Sequence, residues 1–289
     1  VEKQGTATRD LAVGVAGRLG VSPAAVGYAG MKDKACTAVQ AFTVTGVEEE
    51  RARAAFEAEG ARVLSATRHK NKLRLGHLAG NAFQLFLQGA RAEAVATILA
   101  ELTRTGAPNY YGPQRFGVRG GNPAKGLAVL EGRLRVGRWK RDLLVSALQS
   151  RVFNEVLARR LEEGSLVRAL EGDVLRREDS GGLFVCRDPE EDTRRVEAFE
   201  VSSTGPMPGR KMVRADGPRA VAEAEVLRDL GLNEPLFSRE TGARRPLRVP
   251  LGDPGVEAAA GGCWVRFSCP AGAFATSVVR ELVGAGSEA

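Results

Sequence analysis

One carboxylate stands between two lysines, Lys32-Asp33-Lys34, at the edge of a glycine-bearing stretch, Gly27-Tyr28-Ala29-Gly30-Met31. Flanking cations favour the ionised carboxylate, the form that acts as a nucleophile or base near neutral pH. Glycines at 27 and 30 would let a ribose approach the backbone closely. A solvated surface turn has the same spacing, so the triplet does not decide between the two readings. A second cluster, Asn109-Tyr110-Tyr111-Gly112-Pro113-Gln114-Arg115-Phe116-Gly117, combines aromatic rings, two amides and a guanidinium. Rings of this kind stack on bases that have left a helix, and amide and guanidinium groups satisfy base edges and phosphates. An aromatic plug packed on the core would use the same residues. Three further stretches stand out: the basic Lys72–Phe83, the Pro/Gly-rich Ser203–Gly209, and Cys269–Leu282, a strand end turning into a helix. Each also reads as ordinary structure: a glycine-rich turn, a tight loop and a helix start that binds nothing.

The elements that must position these residues follow from periodicity. Leu11, Val15 and Leu19 place a helix over 8–19 that closes at Gly20, and Ser22-Pro23 offers a second helix start. The run 38–44 alternates as a half-buried strand, which puts the charged turn at a strand entrance. Helical periodicity covers 47–59, strands are expected at 62–68 and 82–87, and a helix at 91–103. The longest helix is expected over 139–162, with Leu143, Leu144, Ala147, Leu148 and Val156 on its apolar side. After it the texture changes to shorter, more charged elements, including a turn at Asp179–Gly182 and a loop at 203–209. Strands at 248–251 and 264–269 and a helix over 274–283 close the chain. The pattern is α+β, with the end expected to return to the first domain.

The chain has 289 residues, 43% hydrophobic and 27% charged, which is the range of a globular protein with a sizeable core. A net charge of +7 and a pI near 9.5 favour a polyanionic partner. No run of about eighteen apolar residues marks a membrane span, and Glu2, Lys3, Arg9 and Asp10 interrupt any signal-peptide core, so the cytoplasm is expected. Cys36, Cys186, Cys263 and Cys269 form no CxxC pair and are expected to be buried free thiols. His69 and His77, the two histidines, have no acidic residue or cysteine between them, so no metal site is expected.

Taken in order, six segments resemble the TruD family of tRNA pseudouridine synthases. The family's AGxKDRxAxTxQ loop falls on Ala29–Gln40, its GNxF segment on Gly80–Phe83, and its NYFGxQRFG loop on Asn109–Gly117. Its SAxxSxxFN helix falls on Ser146–Asn154, its TGPxxG loop on Thr204–Gly209, and its PxGxYATxxLRE terminus on Pro270–Glu281. Six ordered motifs over nearly the whole chain are specific where any one alone is weak.

The resemblance implies an α+β pseudouridine-synthase catalytic domain with a mixed, mainly antiparallel sheet, formed by 1–134 and 242–289. A family-specific α+β insertion domain would occupy 135–241. The substrate implied is a uridine of tRNA, typically uridine 13 in bacterial members, converted without cofactor or metal by a monomer. Asp33 is the implied catalytic aspartate, either attacking C1′ or abstracting a ribose proton, with Lys32 orienting it. Tyr111 would stack on the flipped uracil and Asn109 would hold the base or nearby backbone. Gln114 and Arg115 would organise the loop or touch phosphate, and Lys34 and Gln40 complete the substrate-binding set. Lys34 stands where the family has arginine, keeping the charge but losing the bidentate fork. Tyr111 stands where the family has phenylalanine, so its hydroxyl needs a partner. In the family a further segment, contributing an aromatic and a glutamate near the site, precedes the position of Val1. The alternative is a catalytically silent protein that binds tRNA and helps it fold; the presence of Lys32 and Asp33 argues against it.

Overall fold

The computed structural model describes residues 1–284. Contacts divide the chain into two compact units, Val1–Ala79 and a second that begins at Gly80, and each is described by itself.

In the first unit β1 (Glu2–Lys3) precedes α1 (Thr8–Leu19), followed by β2 (Val26–Tyr28), β3 (Ala38–Val39), β4 (Phe42–Val44) and α2 (Glu49–Ala58). The apolar stripe of α1 is buried through Leu11, Val15 and Leu19, and packs with Val26 and Phe56 in one core. Gly20 ends the helix in the left-handed region at φ 70°, its N–H donating to the Ala16 and Gly17 carbonyls. The second helix start at Ser22-Pro23 yields a single 3-10 turn, Pro23–Ala25, capped by Ser22. The strand expected over 38–44 is two strands with different partners. Its first part, β3, pairs with β1, and its second, β4, pairs with β2. They part at Gln40, whose N–H donates to the Val1 carbonyl at 2.8 Å and whose side chain turns inward. The strand expected over 62–68 is reduced to one bridge, Arg62 opposite Glu2 of the two-residue β1.

The second unit runs β5 (Gly80–Gln88), α3 (Ala92–Thr105), β6 (Ala107–Pro108), α4 (Pro113–Phe116), α5 (Asn122–Leu130), α6 (Arg138–Glu162), β7 (Val174–Arg177) and β8 (Leu183–Val185). It continues with α7 (Pro189–Glu197), β9 (Val201–Met207), α8 (Gly217–Asp229), β10 (Ala243–Pro246), β11 (Arg248–Val249), β12 (Gly252–Ala259), β13 (Gly262–Pro270) and α9 (Ala275–Val283). Three strands form the antiparallel sheet β12-β13-β5, and its apolar face packs on α3 and α9 through Leu99, Val265, Phe267 and Val278. A second antiparallel sheet has the order β10-β9-β7-β8. The short strand β11 pairs with β6. Every strand pairing among the described residues is antiparallel, and the fold is α+β.

The 25-residue α6 is buried along one side by Leu148, Phe153, Val156 and Leu157. Its Arg160 is fully buried and donates from Nη1 to both carboxylate oxygens of Asp173, at 3.0 and 2.9 Å. A buried guanidinium needs that partner, because removing one member of such a pair leaves an uncompensated charge. The loop expected at 203–209 is largely β9, buried at all seven of its positions. Gly and Pro made the stretch read as a turn. Tertiary packing overrides that composition: Arg244 donates to the Thr204 hydroxyl at 2.9 Å and carbonyl at 2.7 Å, and β7 and β10 flank the strand.

A Cβ on Gly205 would stand 2.8 Å from Phe153 Cδ2 and 2.9 Å from Leu247 Cδ2, both on fully buried side chains. Gly205→Ala is therefore expected to destabilise the protein by about 1–3 kcal/mol through overpacking. A urea melt checks this, and an unchanged midpoint would contradict the packing of β9.

Candidate active site

The loop that carries Asp33 is held through its backbone. Lys3 is buried, and its ammonium donates to the Thr6 carbonyl at 2.7 Å and to the Asp33 carbonyl at 2.9 Å. Thr8, the first residue of α1, accepts from the Lys32 N–H at 2.9 Å and also meets the Gln40 side-chain oxygen at 2.9 Å. Gln40 in turn donates its amide to the Gly30 carbonyl. Lys3, Thr8 and Gln40 thus satisfy main-chain groups at 30, 32 and 33, while Asp33 and Lys34 are exposed. The structure places Gln40 beneath the loop as a brace. The basic stretch after His69 lies alongside: the Leu73 N–H donates to Thr43 Oγ1 at 3.0 Å, and Gly76 N–H to the Ala29 carbonyl at 3.2 Å. Gly27 has to lack a Cβ, which would collide with the Leu73 carbonyl.

In the second unit a cleft of about 640 Å³ is lined by Asn109, Tyr111 and Arg115 together with residues of β10 and the loop after β13. The cleft wall is built from α6 outward. Ser146, Ser150 and Asn154 are four residues apart, so they share one helix face. Asn154 accepts from the Tyr111 N–H at 2.9 Å and donates to the Tyr111 carbonyl at 3.0 Å. Arg115 donates to Ser150 Oγ at 3.1 Å and to Ser146 Oγ. From the other end of the chain, Ser277 of α9 donates to the Tyr110 carbonyl at 2.9 Å. Gln114 is exposed and is not part of the cleft lining.

Arg245 lies at the centre of this wall, and the sequence contained no signal for it beyond an arginine-rich stretch. Its guanidinium is 4.2 Å from the Tyr111 ring centroid and donates to Asn109 Oδ1 and, at 3.2 Å, to the Gly272 carbonyl. Such a stack contributes about 0.5–2 kcal/mol. Burial lowers the Arg245 pKa from its ordinary value; Tyr111 opposes that shift and the charge of Arg115 adds to it. Asn109 is buried and also donates to the Pro246 carbonyl at 2.9 Å. Phe153 meets the Tyr111 ring edge-on with centroids 5.6 Å apart. Among the described residues no group of three or more His, Cys, Asp and Glu side chains is placed to hold a metal ion.

The family model of tRNA pseudouridine synthase D (TruD) matches residues 1–136 and 134–282. The chain belongs to the tRNA pseudouridine synthase D family. A relative of that name from Thermus thermophilus is 40% identical over 287 residues, spanning 98% of this chain and 80% of its own. Another, from an Anaeromyxobacter species, is 41% identical over 309 residues, spanning 100% and 85%. A crystal structure provisionally assigned as tRNA pseudouridine synthase D from Methanosarcina mazei superposes with a TM-score of 0.76 at 21% identity. It covers 97% of this chain and 86% of that one, and at this identity it speaks for the fold.

Within the family pattern, the tyrosine at 111 required a partner for its hydroxyl, and Met207 Sδ lies 3.8 Å from it. The expectation that all four cysteines are buried is corrected at Cys36, which is exposed in the turn after Asp33, with its thiol 3.2 Å from the Asp33 carbonyl. Cys186, Cys263 and Cys269 are buried, and burial pushes the Cys186 thiol up to about 12.

Two outcomes are expected. Ellman's reagent should modify one thiol rapidly in the native protein at pH 8, and Cys36→Ser should remove that reaction. Thr8→Val removes the hydroxyl under Lys32 while keeping its shape, and should destabilise the first unit by about 1–3 kcal/mol. Hydrogen exchange should show the Lys32 amide losing protection; an unchanged exchange rate there would contradict the brace.

Proposed function

We propose that this chain isomerises a uridine of tRNA, uridine 13, to pseudouridine, with Asp33 as the catalytic carboxylate. The observation that carries this reading is the family membership together with an Asp33 that is exposed on a loop whose main chain is bound by Lys3 and Thr8. A tRNA pseudouridine synthase breaks the bond from C1′ to N1 and forms one from C1′ to C5. N1 gains a proton and C5 loses one, so the reaction balances without an oxidant, a cofactor or a metal. Asp33 serves either as the nucleophile at C1′ or as the base that takes a ribose proton. Its position in an exposed turn, with its backbone already ordered, suits a group that must meet a reacting atom without reorganising.

The flanking Lys32 and Lys34 keep positive charge beside the carboxylate and face an RNA substrate favourably. Tyr111 offers a ring for stacking on an extruded base, Asn109 an amide for base or backbone, and Arg115 a guanidinium for phosphate. Gln114, exposed on α4, is assigned to RNA contact as well, and Gln40 to holding the loop.

The division into a catalytic part, 1–134 with 242–289, and an insertion, 135–241, belongs to this proposal. Pairing of β13 with β5 and of β11 with β6 supports it, since both join the end of the chain to strands that precede α6. The four-stranded sheet with α7 supports a separate element between them, because Leu175, Val196 and Val201 share a core of their own. No helix among the described residues is long and apolar enough to cross a membrane. A monomer in the cytoplasm, where tRNA is processed, completes the reading.

Single-turnover conversion of unmodified tRNA, read by pseudouridine-specific chemical probing, tests the assignment. Asp33→Asn should lower conversion by at least about a thousandfold while tRNA affinity stays within a few-fold, because the isostere removes the reacting oxygen and little contact area. Comparable conversion by the variant would sink the assignment of Asp33. Tight binding without conversion by the unaltered protein would favour the silent tRNA-binding alternative.

A further inference from the structure

Five cations stand in the nine residues 133–141, Arg133, Arg135, Arg138, Lys140 and Arg141, with Trp139 among them and no acidic residue. The segment leads into α6 on the surface of the second unit. Leu134 donates its N–H to the Ala128 carbonyl at 2.9 Å and is half-buried, as is Val136, so the alternate positions Arg133 and Arg135 face outward. Arg133 pairs with Glu131, and Arg141 with Glu240 and, at 3.6 Å, with Asp142. Among the described residues Arg135, Arg138 and Lys140 form no salt bridge, and all three are exposed.

Trp139 is 78% exposed. Its ring has no aromatic or guanidinium partner among the described residues, unlike Trp264, which packs on Phe86 with centroids 5.3 Å apart. Tryptophan is buried over most of its surface in an average protein, and an indole left in water among cations has the composition of a nucleic-acid surface. The position of these cations is unfavourable to the helix itself. The first turn of α6 holds Arg138 and Lys140, no acidic residue and no side-chain cap. The unsatisfied N–H groups of that turn favour anions, so cations there oppose the helix and are relieved by an anion brought from outside.

Adjacent helix positions point about 100° apart, so Arg138 and Lys140 stand to either side of the indole. Trp139 also precedes Ser146 by seven residues, which places both on one face of α6, about 10 Å apart, and Ser146 lines the cleft.

We propose that Arg135, Arg138, Trp139 and Lys140 are a docking surface for an unpaired stretch of the RNA substrate, with a base stacked on the indole and the cations on the neighbouring phosphates. This rests on the reading of the chain as a tRNA pseudouridine synthase. A single strand alternates planar bases with anionic phosphates, and an indole between cations matches that alternation. An acidic peptide would satisfy the cations and leave the ring without a planar partner.

The test uses the intact protein and an unmodified tRNA transcript. In a Trp264→Phe background Trp139 is the one tryptophan left, and tRNA should quench its emission by stacking. Trp139→Ala should weaken tRNA binding about tenfold, and Trp139→Phe should retain most of the affinity. Joint replacement of Arg135, Arg138 and Lys140 by Gln should lower the slope of log affinity against log salt by about two. In conversion assays these variants should raise KM and leave kcat unchanged, the mark of binding that is lost equally from ground and transition states. Unaltered affinity and salt slope in the variants would overturn the proposal, as would an emission that saturating tRNA leaves unchanged. Self-association lost in Trp139→Ala with tRNA affinity unaltered would assign the surface to a second copy of the chain instead. Binding that falls in the variants, without any conversion by the native protein, would remove the enzymatic reading and leave the docking surface standing. Conversion with the same KM in every variant would do the reverse.

Discussion

The backbone of Tyr111 has to be satisfied inside a packed wall, and the side chain of Asn154 does so at both its N–H and its C=O. An unpaired main-chain group away from water costs about 1–3 kcal/mol, so this pair of bonds ties the aromatic loop to one turn of α6. The same face of the helix carries Ser146 and Ser150, which hold Arg115. The adjoining face carries Phe153 and Leu157 into the core shared with β9 and α8. A 25-residue helix therefore serves as the ruler of the second unit, with polar spacing for the cleft and apolar spacing for the core. A shift of α6 by one residue would move both patterns off their partners.

Charge is distributed by the same logic. Where arginines are structural they have carboxylates: Arg160 with Asp173 in the interior, Arg244 with Glu223 behind β9. Arg248 is a partial exception. It donates to the carbonyls of Thr105 and Val196 and stacks at 4.0 Å on Phe199, and burial lowers its pKa to about 10. It links the end of α3 to the end of α7, neighbours that backbone hydrogen bonds alone would not join. Arg115 and Arg245 form no salt bridge among the described residues, and their hydrogen bonds go to Ser146, Ser150, Asn109 and Gly272. Cations left uncompensated at an open surface are available to a ligand, whereas those compensated inside are committed to the fold.

In the first unit the turn that carries Asp33 is ordered from beneath by buried side chains. Lys3 is a long charged side chain buried for the sake of two carbonyls, and Thr8 combines the first turn of a helix with a bond to the Lys32 N–H. Ordering the main chain in advance lowers the conformational entropy that the turn must lose when it meets a substrate. The exposed side chains at 33 and 34 are the ones left free of this scaffold.

What the sequence determined by itself is local. The 3.6-residue period of Leu11, Val15 and Leu19 and the glycine after them defined α1 to the residue, and the strands expected over 82–87 and 264–269 fall within β5 and β13, because a face to be buried is written in nearest-neighbour spacing. The segments around Asp33 and at 109–117 stand out in the sequence for a related reason: their residues are contiguous and unusual in composition. Partners are not written locally. That 38–44 divides between two strands, that the Gly/Pro-rich 203–209 is mostly a buried strand, and that 62–68 finds only a single bridge were decided by which segments were available to pair. Cys36 is exposed because its turn is, and the arrival of Arg245 on the Tyr111 ring, 134 residues away in the chain, required the pairing of β10 with β9. A helix or strand face is fixed by residues a few positions apart, but which face it meets is set by long-range packing, and that is where the cleft was made.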